Sequence, residues 1–549
     1  MKINDNLKEL YIQKGYWSEK SLSDYWDMSV SKYSDREFMI DDRGKRCTYA
    51  QVEEQAIIMA DYLRCIGIRS QDVVSFQIPN WCEFVIVSVA CLKVGAILNP
   101  LGMCHETEEL LYILNHAGSK VYMCAEKFRG VNYKERIAVI QERVKSILKV
   151  VLLEEQASVL AGKSEVDCSY ALYEDIMMHH SRLLDQSASV KVSGYDGALI
   201  LCTSGTTSRN KLVFFTHNNI LFSELNFNRE MNLTKDDTMF MPAPLAHATG
   251  FHHGIISPML LGAKTVLQQR FNAKTAIELI NRERCTYSMG ATPFVYDILK
   301  ELKEGKASLP YLNLYLCGGA PVPEDMVRRA FQYGIKLCEV YGSTESVPHV
   351  FVLPDETLAL AGTVSGRAMT GVEVKIVDEN RVEVPRGTPG EEISRGPNVF
   401  VGYFNDQVAT DEAIDDEGWY YSGDICIMDE AGYIKVVGRK KDMIVRGGEN
   451  LNSNAIERDL DGCPHVLDHA VIGMPDERLG ERICAYVVLD HADLPIMEIL
   501  LSYLKSKKVP KRYWPERVEV IDQIPRTASG KVQKYLLKED LRSRRGKRD

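Results

Sequence analysis

Residues able to do chemistry concentrate in one stretch near the middle of the chain, Leu201-Cys-Thr-Ser-Gly-Thr-Thr-Ser-Arg-Asn-Lys211. Six consecutive residues, Thr203 to Ser208, carry a hydroxyl or no side chain at all. Small residues let backbone N–H groups face an anion, hydroxyls add donors, and Lys211 adds a positive charge. The stretch is not a Walker loop, because Leu212 stands where that motif has Ser or Thr. It predicts a polyphosphate-binding loop, although a polar surface turn with an incidental lysine fits this stretch equally well.

Four later motifs add complementary chemistry. Glycines in Leu316-Cys-Gly-Gly-Ala-Pro321 would let the backbone lie against a flat ring such as adenine. Tyr341-Gly-Ser-Thr-Glu-Ser346 offers an aromatic ring, hydroxyls and a carboxylate of the kind that holds Mg²⁺ beside phosphates. Gly418-Trp-Tyr-Tyr-Ser-Gly-Asp424 presents an acid suited to a ribose diol, and Pro525-Arg-Thr-Ala-Ser-Gly-Lys531 presents a lysine on a loop. Each motif alone is also compatible with an ordinary turn or a solvated lysine.

Strand and helix patterns place these motifs. The apolar run Ala198–Cys202 predicts a buried strand directly before the polyphosphate-binding loop. Strands predicted at 73–78, 97–100 and 120–124 alternate with helices, one of which begins with a capping pattern at Thr48. This alternation predicts a parallel sheet with crossover helices.

Further strands at 238–241, 265–268, 287–290 and 314–317 predict a second sheet of the same type. From Glu373 onward, short strands between Gly, Pro and Asp turns predict a β-rich subdomain. The segment 438–450 is typical of a hinge or loop, and the last hundred-odd residues alternate helix and strand. We therefore expect an α/β fold with two helix-packed sheets, a β-rich subdomain and a small α+β C-terminal domain, followed by a disordered basic tail from Arg542.

Bulk composition restricts the possible partners. A net charge of −10 over 549 residues argues against nucleic acid as the main partner. The N-terminus has no apolar signal core, and the apolar run 82–101 contains Glu83 and Lys93, so we expect no transmembrane segment. Fourteen cysteines without a CxxC or zinc-like spacing predict free thiols in a reducing cytoplasm. Oligomeric state stays open.

Taken in this order, the motifs resemble those of the adenylate-forming superfamily, which comprises acyl- and aryl-CoA synthetases, luciferases and the adenylation domains of peptide synthetases. The resemblance extends from about Thr48 to Lys534. It implies a domain at 1–438 that binds ATP and the acyl group. It also implies a mobile domain at 439–549, which carries the catalytic lysine.

The resemblance implies a site residue by residue. ATP and coenzyme A would be contacted by Thr203, Ser204, Gly205, Thr206, Thr207, Lys211, Gly318, Gly319, Ala320, Tyr341, Gly342, Ser343, Asp424, Arg439, Lys441, Gly447 and Gly448. Residues 203–211 would bind phosphate, 318–320 with Tyr341 would hold adenine, and Asp424 assisted by Arg439 would hold ribose. Lys441 would be the hinge between the domains, and Gly447-Gly448 would line the pantetheine tunnel.

The resemblance also implies four catalytic residues: Lys531, Glu345, Thr344 and His247. Lys531 would bridge the substrate carboxylate and the α-phosphate. Glu345 would hold Mg²⁺, Thr344 would contact phosphate, and His247 would lie at the acyl pocket and thioester tunnel.

The implied activity is ATP-dependent ligation of a small-molecule carboxylic acid to coenzyme A through an acyl-AMP, with ATP, Mg²⁺ and coenzyme A as cofactors. The segments 438–444 and 446–451 resemble those of acyl-CoA synthetases. The segments 241–253, 292–297 and 420–424 resemble most of all those of bacterial short- and medium-chain acyl-CoA synthetases. Alternatives are an alicyclic, aromatic or carnitine-like acid, a carrier-protein acceptor, or a weakened nucleotide-binding homologue. The last is suggested by Ser208, Asn210 and Leu212, which replace the family's Gly, Pro and Gly and are expected to add side chains beside the phosphates.

Overall fold

The computed structural model describes residues 4–154, 170–179, 191–203, 210–303, 307–446, 449–476, 478–491, 494–526 and 532–545. The chain folds into two compact units. The first is formed from 1–203, 210–373 and 394–420, and the second from 374–393 and 421–549. The second unit thus takes in residues before 439, and the boundary at 438/439 about which a mobile domain would turn stays a prediction.

One sheet of the first unit carries the predicted polyphosphate-binding loop. Its strand order is β21-β11-β10-β4-β3-β5-β8-β9. The strands are β3 (Val73–Gln77), β4 (Ile97–Pro100), β5 (Val121–Ala125), β8 (Lys149–Leu153), β9 (Tyr170–Leu172), β10 (Gly197–Cys202), β11 (Leu212–Thr216) and β21 (Gly402–Tyr403). Pairing is parallel from β10 through β4, β3, β5 and β8 to β9, which confirms the predicted parallel sheet. Strands β10, β11 and β21 pair antiparallel.

A second sheet segment in the same unit has the order β18-β17-β16-β15-β14-β12-β13-β1-β2. The strands are β1 (Glu37–Asp41), β2 (Arg46–Thr48), β12 (Thr238–Met241), β13 (Lys264–Leu267), β14 (Tyr287–Ala291), β15 (Leu314–Gly318), β16 (Lys336–Ser343), β17 (Val347–Phe351) and β18 (Gly366–Ala368). Its centre, from β1 to β16, is parallel, so the predicted second sheet is confirmed. A small ribbon pairs β6 (Lys127–Phe128) with β7 (Val131–Asn132).

Helices connect these strands. They are α1 (Asp5–Gln13), α2 (Leu22–Tyr33), α3 (Tyr49–Cys65), α4 (Cys82–Val94), α5 (Thr107–Ala117), α6 (Ile137–Arg143), α7 (Tyr173–His179), α8 (His217–Glu230), α9 (Ser257–Leu261), α10 (Ala273–Glu283), α11 (Thr292–Lys303), α12 (Glu324–Gln332), α13 (Thr357–Leu360) and α14 (Gln407–Ala413). A π-helix spans Thr249–Ile256, and a 3₁₀ turn spans Lys134–Arg136. Helix α3 starts as predicted, with reciprocal capping between Thr48 and Gln51.

The second unit is richer in strands. It contains β19 (Glu373–Val377), β20 (Gly390–Arg395), β22 (Tyr420–Met428) and β23 (Tyr433–Arg439), which follow one another in that order in a sheet. A five-stranded sheet contains β24 (Met443–Arg446), β25 (Glu449–Asn452), β26 (Val466–Asp476), β27 (Gly480–Leu489) and β28 (Arg517–Val520). The helices are α15 (Ser453–Leu460), α16 (Ile496–Ser506) and α17 (Lys534–Arg545), with 3₁₀ turns at Lys440–Asp442 and Lys511–Tyr513. The predicted β-rich subdomain and small α+β domain are confirmed.

The five-stranded sheet is buried on both faces. Along β27, Cys484 and Tyr486 join a cluster with α17, while Ile483 and Ala485 join a cluster with α15 and α16. This is the period-two alternation of a strand between two apolar layers. The expected disordered tail is wrong for its first residues, because α17 continues to Arg545. Leu537 and Leu541 hold this helix in the core, and Arg544 pairs with Glu519 and Asp540.

Within the described residues, all thirteen cysteines are free thiols, as predicted. No helix in that part of the chain is both long enough and apolar enough to cross a membrane.

Candidate active site

The predicted polyphosphate-binding loop connects two neighbouring strands, β10 and β11. Cys202 pairs with Leu212, and the Thr203 N–H donates to the Lys211 carbonyl at 3.0 Å, so both ends of the loop are fixed at one point of the sheet. Ser204, Gly205, Thr206 and Thr207 lie outside the described residues, and their phosphate contacts stay predictions.

The structure describes two of the three residues that differ from the family's loop, Asn210 and Leu212. Leu212 is the first residue of β11 and is 1% exposed, so the expectation that its side chain lies beside the phosphates is wrong. Asn210 donates through Nδ2 to Glu109 Oε1 at 2.9 Å, which ties the end of the loop to α5. His105, with Asn210 assisting, lowers the pKa of Glu109 to about 2 despite its partial burial, so the carboxylate is a permanent acceptor at neutral pH. Ser208 lies outside the described residues.

Lys211 and Glu345 are linked through Tyr403. The Lys211 Nζ lies 4.4 Å from the centre of the Tyr403 ring, a cation–π contact. The Tyr403 hydroxyl donates to Glu345 Oε1 at 2.9 Å. Burial, with Glu345 adding to it, raises the pKa of Tyr403 well above its usual value, so this hydroxyl stays a donor.

Sequence reasoning missed Tyr403. It reaches Lys211 because β21 pairs with β11 in the register Val213–Tyr403, and only the sheet pairing shows this proximity. Glu345 meets it because the Phe400 N–H donates to the Glu345 carbonyl at 2.9 Å. No described residue donates a hydrogen bond to Glu345 Oε2, so that oxygen suits the single protein carboxylate ligand that Mg²⁺ commonly takes beside phosphate oxygens.

Thr344 and Glu345 lie in the tight turn between β16 and β17. The Ser343 Oγ accepts from the N–H groups of Glu345 and Ser346 at 3.2 and 3.3 Å, so this serine organises the turn. Gly342 is required for close approach, because a Cβ there would lie 2.2 Å from the Val347 carbonyl oxygen. Gly342 and Ser343 end β16, and Thr344 begins the turn. Their predicted roles toward ATP stay predictions.

The predicted adenine-binding residues lie at the carboxyl ends of adjacent parallel strands. Gly318 ends β15 and pairs with Val340 in β16, one residue before Tyr341. A Cβ on Gly318 would lie 2.6 Å from the Val340 carbonyl oxygen, so the close approach of the strands demands glycine. Gly319 has a φ of 86°, and both Gly319 and Ala320 are exposed. Ligands of open α/β sheets bind at this edge, and the exposed backbone there suits a flat ring.

His247 lies two residues before the π-helix. The Thr249 N–H donates to its Nδ1 at 3.3 Å, so in the neutral ring the proton is on Nε2. The preceding loop is fixed by buried Asn80, which accepts from the Leu245 N–H and donates to the Ala243 carbonyl. Asn80 has no motif around it, and sequence reasoning missed this positioning residue. The acyl-pocket role of His247 stays a prediction.

The predicted ribose-binding pair lies together in the second unit. Asp424 and Arg439 are partners in the β22–β23 register, and the Arg439 Nε lies 3.0 Å from Asp424 Oδ1. Asp424 is 5% exposed, and its carboxylate is held in position for a diol. Nearby, burial and Arg439 lower the pKa of Lys441, which lies in a 3₁₀ turn.

Lys531, Gly447 and Gly448 lie outside the described residues, but their flanks are described. Arg446 pairs with Glu449 on either side of the two glycines. On either side of 527–531, Arg526 pairs with Val532, and the Gln533 N–H donates to the Pro525 carbonyl at 2.8 Å.

Lys534, three residues after Lys531, is an anchor that sequence reasoning also missed. It is 9% exposed, and its Nζ lies 2.8 Å from Ser453 Oγ, 3.2 Å from Asn454 Oδ1 and 2.9 Å from Glu457 Oε1. These contacts join the start of α17 to the start of α15, and they fix the chain where it leaves the predicted catalytic loop.

This fold and this set of residues define an adenylate-forming enzyme. Residues 26–404 match the family model of the AMP-binding enzymes, and 455–531 match that of the AMP-binding enzyme C-terminal domain. The chain belongs to the AMP-binding enzyme family. The predicted resemblance and enzyme class are confirmed, and so are the cofactors ATP, Mg²⁺ and coenzyme A.

Similar proteins cover almost the whole chain. The medium-chain fatty-acid–CoA ligase of Escherichia coli K12 is 42% identical over 544 residues, 99% of this chain and 94% of that one. A feruloyl-CoA synthase of Amycolatopsis is 30% identical over 95% of this chain and 98% of its own length. The crystal structure of ATP-bound MatB from Rhodopseudomonas palustris superposes with a TM-score of 0.82 at 26% identity, covering 95% of this chain and 99% of that one.

We expect Tyr403→Phe to slow adenylate formation roughly 10- to 100-fold, because it removes a hydrogen bond to a carboxylate while keeping the ring beneath Lys211. Acid-dependent exchange of pyrophosphate into ATP measures this step. Tyr122→Phe is the matched control, since it removes another buried tyrosine hydroxyl, which donates to Gln77. Equal exchange rates in the two variants would contradict the role of Tyr403.

We expect Lys534→Met to lower kcat for adenylate formation about tenfold with little change in KM, because the exit of the catalytic loop loses its anchor. It should also lower the free energy of unfolding by roughly 2–3 kcal/mol, below the value for a fully buried pair because Glu457 is partly exposed. Lys534→Arg should restore kcat. If kcat is unchanged while unfolding becomes easier, Lys534 is structural only.

Proposed function

We propose that this chain is an acid–CoA ligase that activates a medium-chain fatty acid with ATP and passes it to coenzyme A. The main support for the proposal is a pair of contacts beside the predicted polyphosphate-binding loop: Lys211 contacts the ring of Tyr403, and the hydroxyl of Tyr403 donates to Glu345. It supplies a cation at the face of one ring and a carboxylate at its hydroxyl, the two kinds of charge that a magnesium-bound polyphosphate requires.

The first step must overcome charge repulsion. A substrate carboxylate attacks the α-phosphate of ATP, and pyrophosphate leaves. Lys211 and the loop donors offset the charge on the departing phosphates, and Lys531 offsets the charge where carboxylate and α-phosphate meet. Glu345 would hold Mg²⁺, which supplies charge neutralisation when bound. Positioning and electrostatics therefore account for this step without a protein nucleophile.

The second step needs a different environment. The coenzyme A thiol attacks the acyl-adenylate and releases AMP, and Lys531 has no evident use there. We propose that 439–549 turns about Lys441 between the two steps, and that Gly447-Gly448 then lines the path of the pantetheine arm. Support comes from the position of Lys441 in the short turn that directly follows β23.

The acid class is the finer part of the proposal. It rests on the likeness to the E. coli medium-chain ligase, which extends over 99% of this chain. The likeness to a feruloyl-CoA synthase keeps an aromatic acid as the second candidate. We also propose a cytoplasmic location, supported by the free thiols of the described residues.

We expect Lys531→Ala to slow adenylate formation by about 100-fold or more while largely sparing thioester formation from a supplied acyl-adenylate. Lys505→Ala changes an exposed lysine of α16 and is the matched control. Pyrophosphate exchange measures the first half-reaction, and acyl-CoA release measures the second. Equal loss of both half-reactions would remove the assigned role of Lys531.

A substrate panel tests the acid and the acceptor. We expect kcat/KM for thioester formation to be highest for straight-chain acids of medium length, falling by about tenfold or more toward short ones as methylene contacts are lost. Coenzyme A should be required, and a phosphopantetheinyl carrier protein should not replace it. A maximum with ferulic acid would favour the second candidate, and no exchange with any acid would indicate a weakened homologue.

A further inference from the structure

Two histidines and an aspartate meet at one end of the β26–β27 hairpin in the second unit. Val466 and Leu489 are partners in this hairpin, and the Asp490 N–H donates to the His465 carbonyl at 3.2 Å. His465, Asp490 and His491 are therefore held together although 25 residues separate the first two. All three are exposed, and none of them belongs to the two apolar clusters that hold the five-stranded sheet.

Their ligating atoms converge. The His465 Nδ1 lies 3.2 and 3.3 Å from the two carboxylate oxygens of Asp490, and the His491 Nδ1 lies 2.7 Å from Oδ1. The imidazole rings are perpendicular, with their centres 5.9 Å apart. One ligating atom from each residue can be chosen so that all three lie within 4.8 Å of one another.

This spacing is close to what a tetrahedral metal ion needs. Bonds of about 2.0–2.2 Å place ligand atoms roughly 3.3 Å apart around Zn²⁺. All three side chains are exposed, and the three residues lie just beyond the ends of β26 and β27 rather than within them. Two imidazole nitrogens and one carboxylate suit Zn²⁺ and other first-row divalent ions, whereas Mg²⁺ prefers oxygen ligands and water.

We propose that His465, Asp490 and His491 form a binding site for a first-row divalent cation, exemplified by Zn²⁺, with water completing the coordination. The bound ion joins the start of β26 to the residue pair that follows β27. Its donor set differs from that of the Mg²⁺ that Glu345 would hold, so this proposal does not rest on the proposed function.

Equilibrium dialysis of the full-length, untagged chain against micromolar Zn²⁺, with bound metal measured by mass spectrometry, tests the site. We expect wild type to bind one equivalent that His465→Gln and His491→Gln each weaken by about tenfold or more, since even outer-shell changes cost that much. Excess Mg²⁺ should not displace it. His469→Gln, which changes a histidine within β26, should leave binding unchanged and is the matched control.

Two results would overturn the proposal. Equal binding by wild type, His465→Gln and His491→Gln would place the metal elsewhere, for instance on free thiols. No binding by wild type would show that the three side chains form a hydrogen-bonded surface cluster only. Circular dichroism of each variant without metal shows whether it is folded, and pyrophosphate exchange should be the same in all of them.

Discussion

One aromatic ring in the first unit, that of Tyr403, contacts two side chains of opposite charge, Lys211 and Glu345. Lys211 and Glu345 would neutralise each other if they paired directly, and neither would then be available to a phosphate or a metal ion. No direct ion pair joins them among the described contacts; Tyr403 lies between them, with its face toward the ammonium and its hydroxyl toward the carboxylate. In the absence of a ligand, the ring stabilises both charges through one cation–π contact and one hydrogen bond. Both contacts are weaker than a direct ion pair in a buried site would be, so a ligand can compete with them.

Much of this could be predicted from the sequence, because the motifs are short and contiguous. The strand before the loop depends on local residue order. Asp424 and Arg439 were implied by the family resemblance, and they meet through the register of β22 and β23. Tyr403, Asn80 and Lys534 could not be predicted, because each works through partners far away in the chain. Asn80, for example, holds a loop more than 160 residues later. The residues next to Asn80 in the sequence do not indicate such a contact.

Asn210 and Leu212, which differ from the residues usual in the family's loop, have different surroundings in the structure. The side chain of Leu212 was expected beside the phosphates. Instead, Leu212 pairs with Cys202 in the sheet, and its side chain is buried in the core. Asn210 replaces a rigid residue with one that makes its own bond to Glu109. A change of residue type in a glycine-rich motif therefore has different consequences inside the loop and one residue beyond it. The start of the tail was misjudged because it continues α17, which Leu537 and Leu541 hold in the core from positions just before it.

The two apolar clusters around the five-stranded sheet draw every buried member from residues 444 to 541. A segment with a complete core of its own can be inherited, exchanged or lost as a block, because no other part of the chain must change to keep it folded. Selection can therefore act separately on the segment bearing Lys531 and on the rest of the chain.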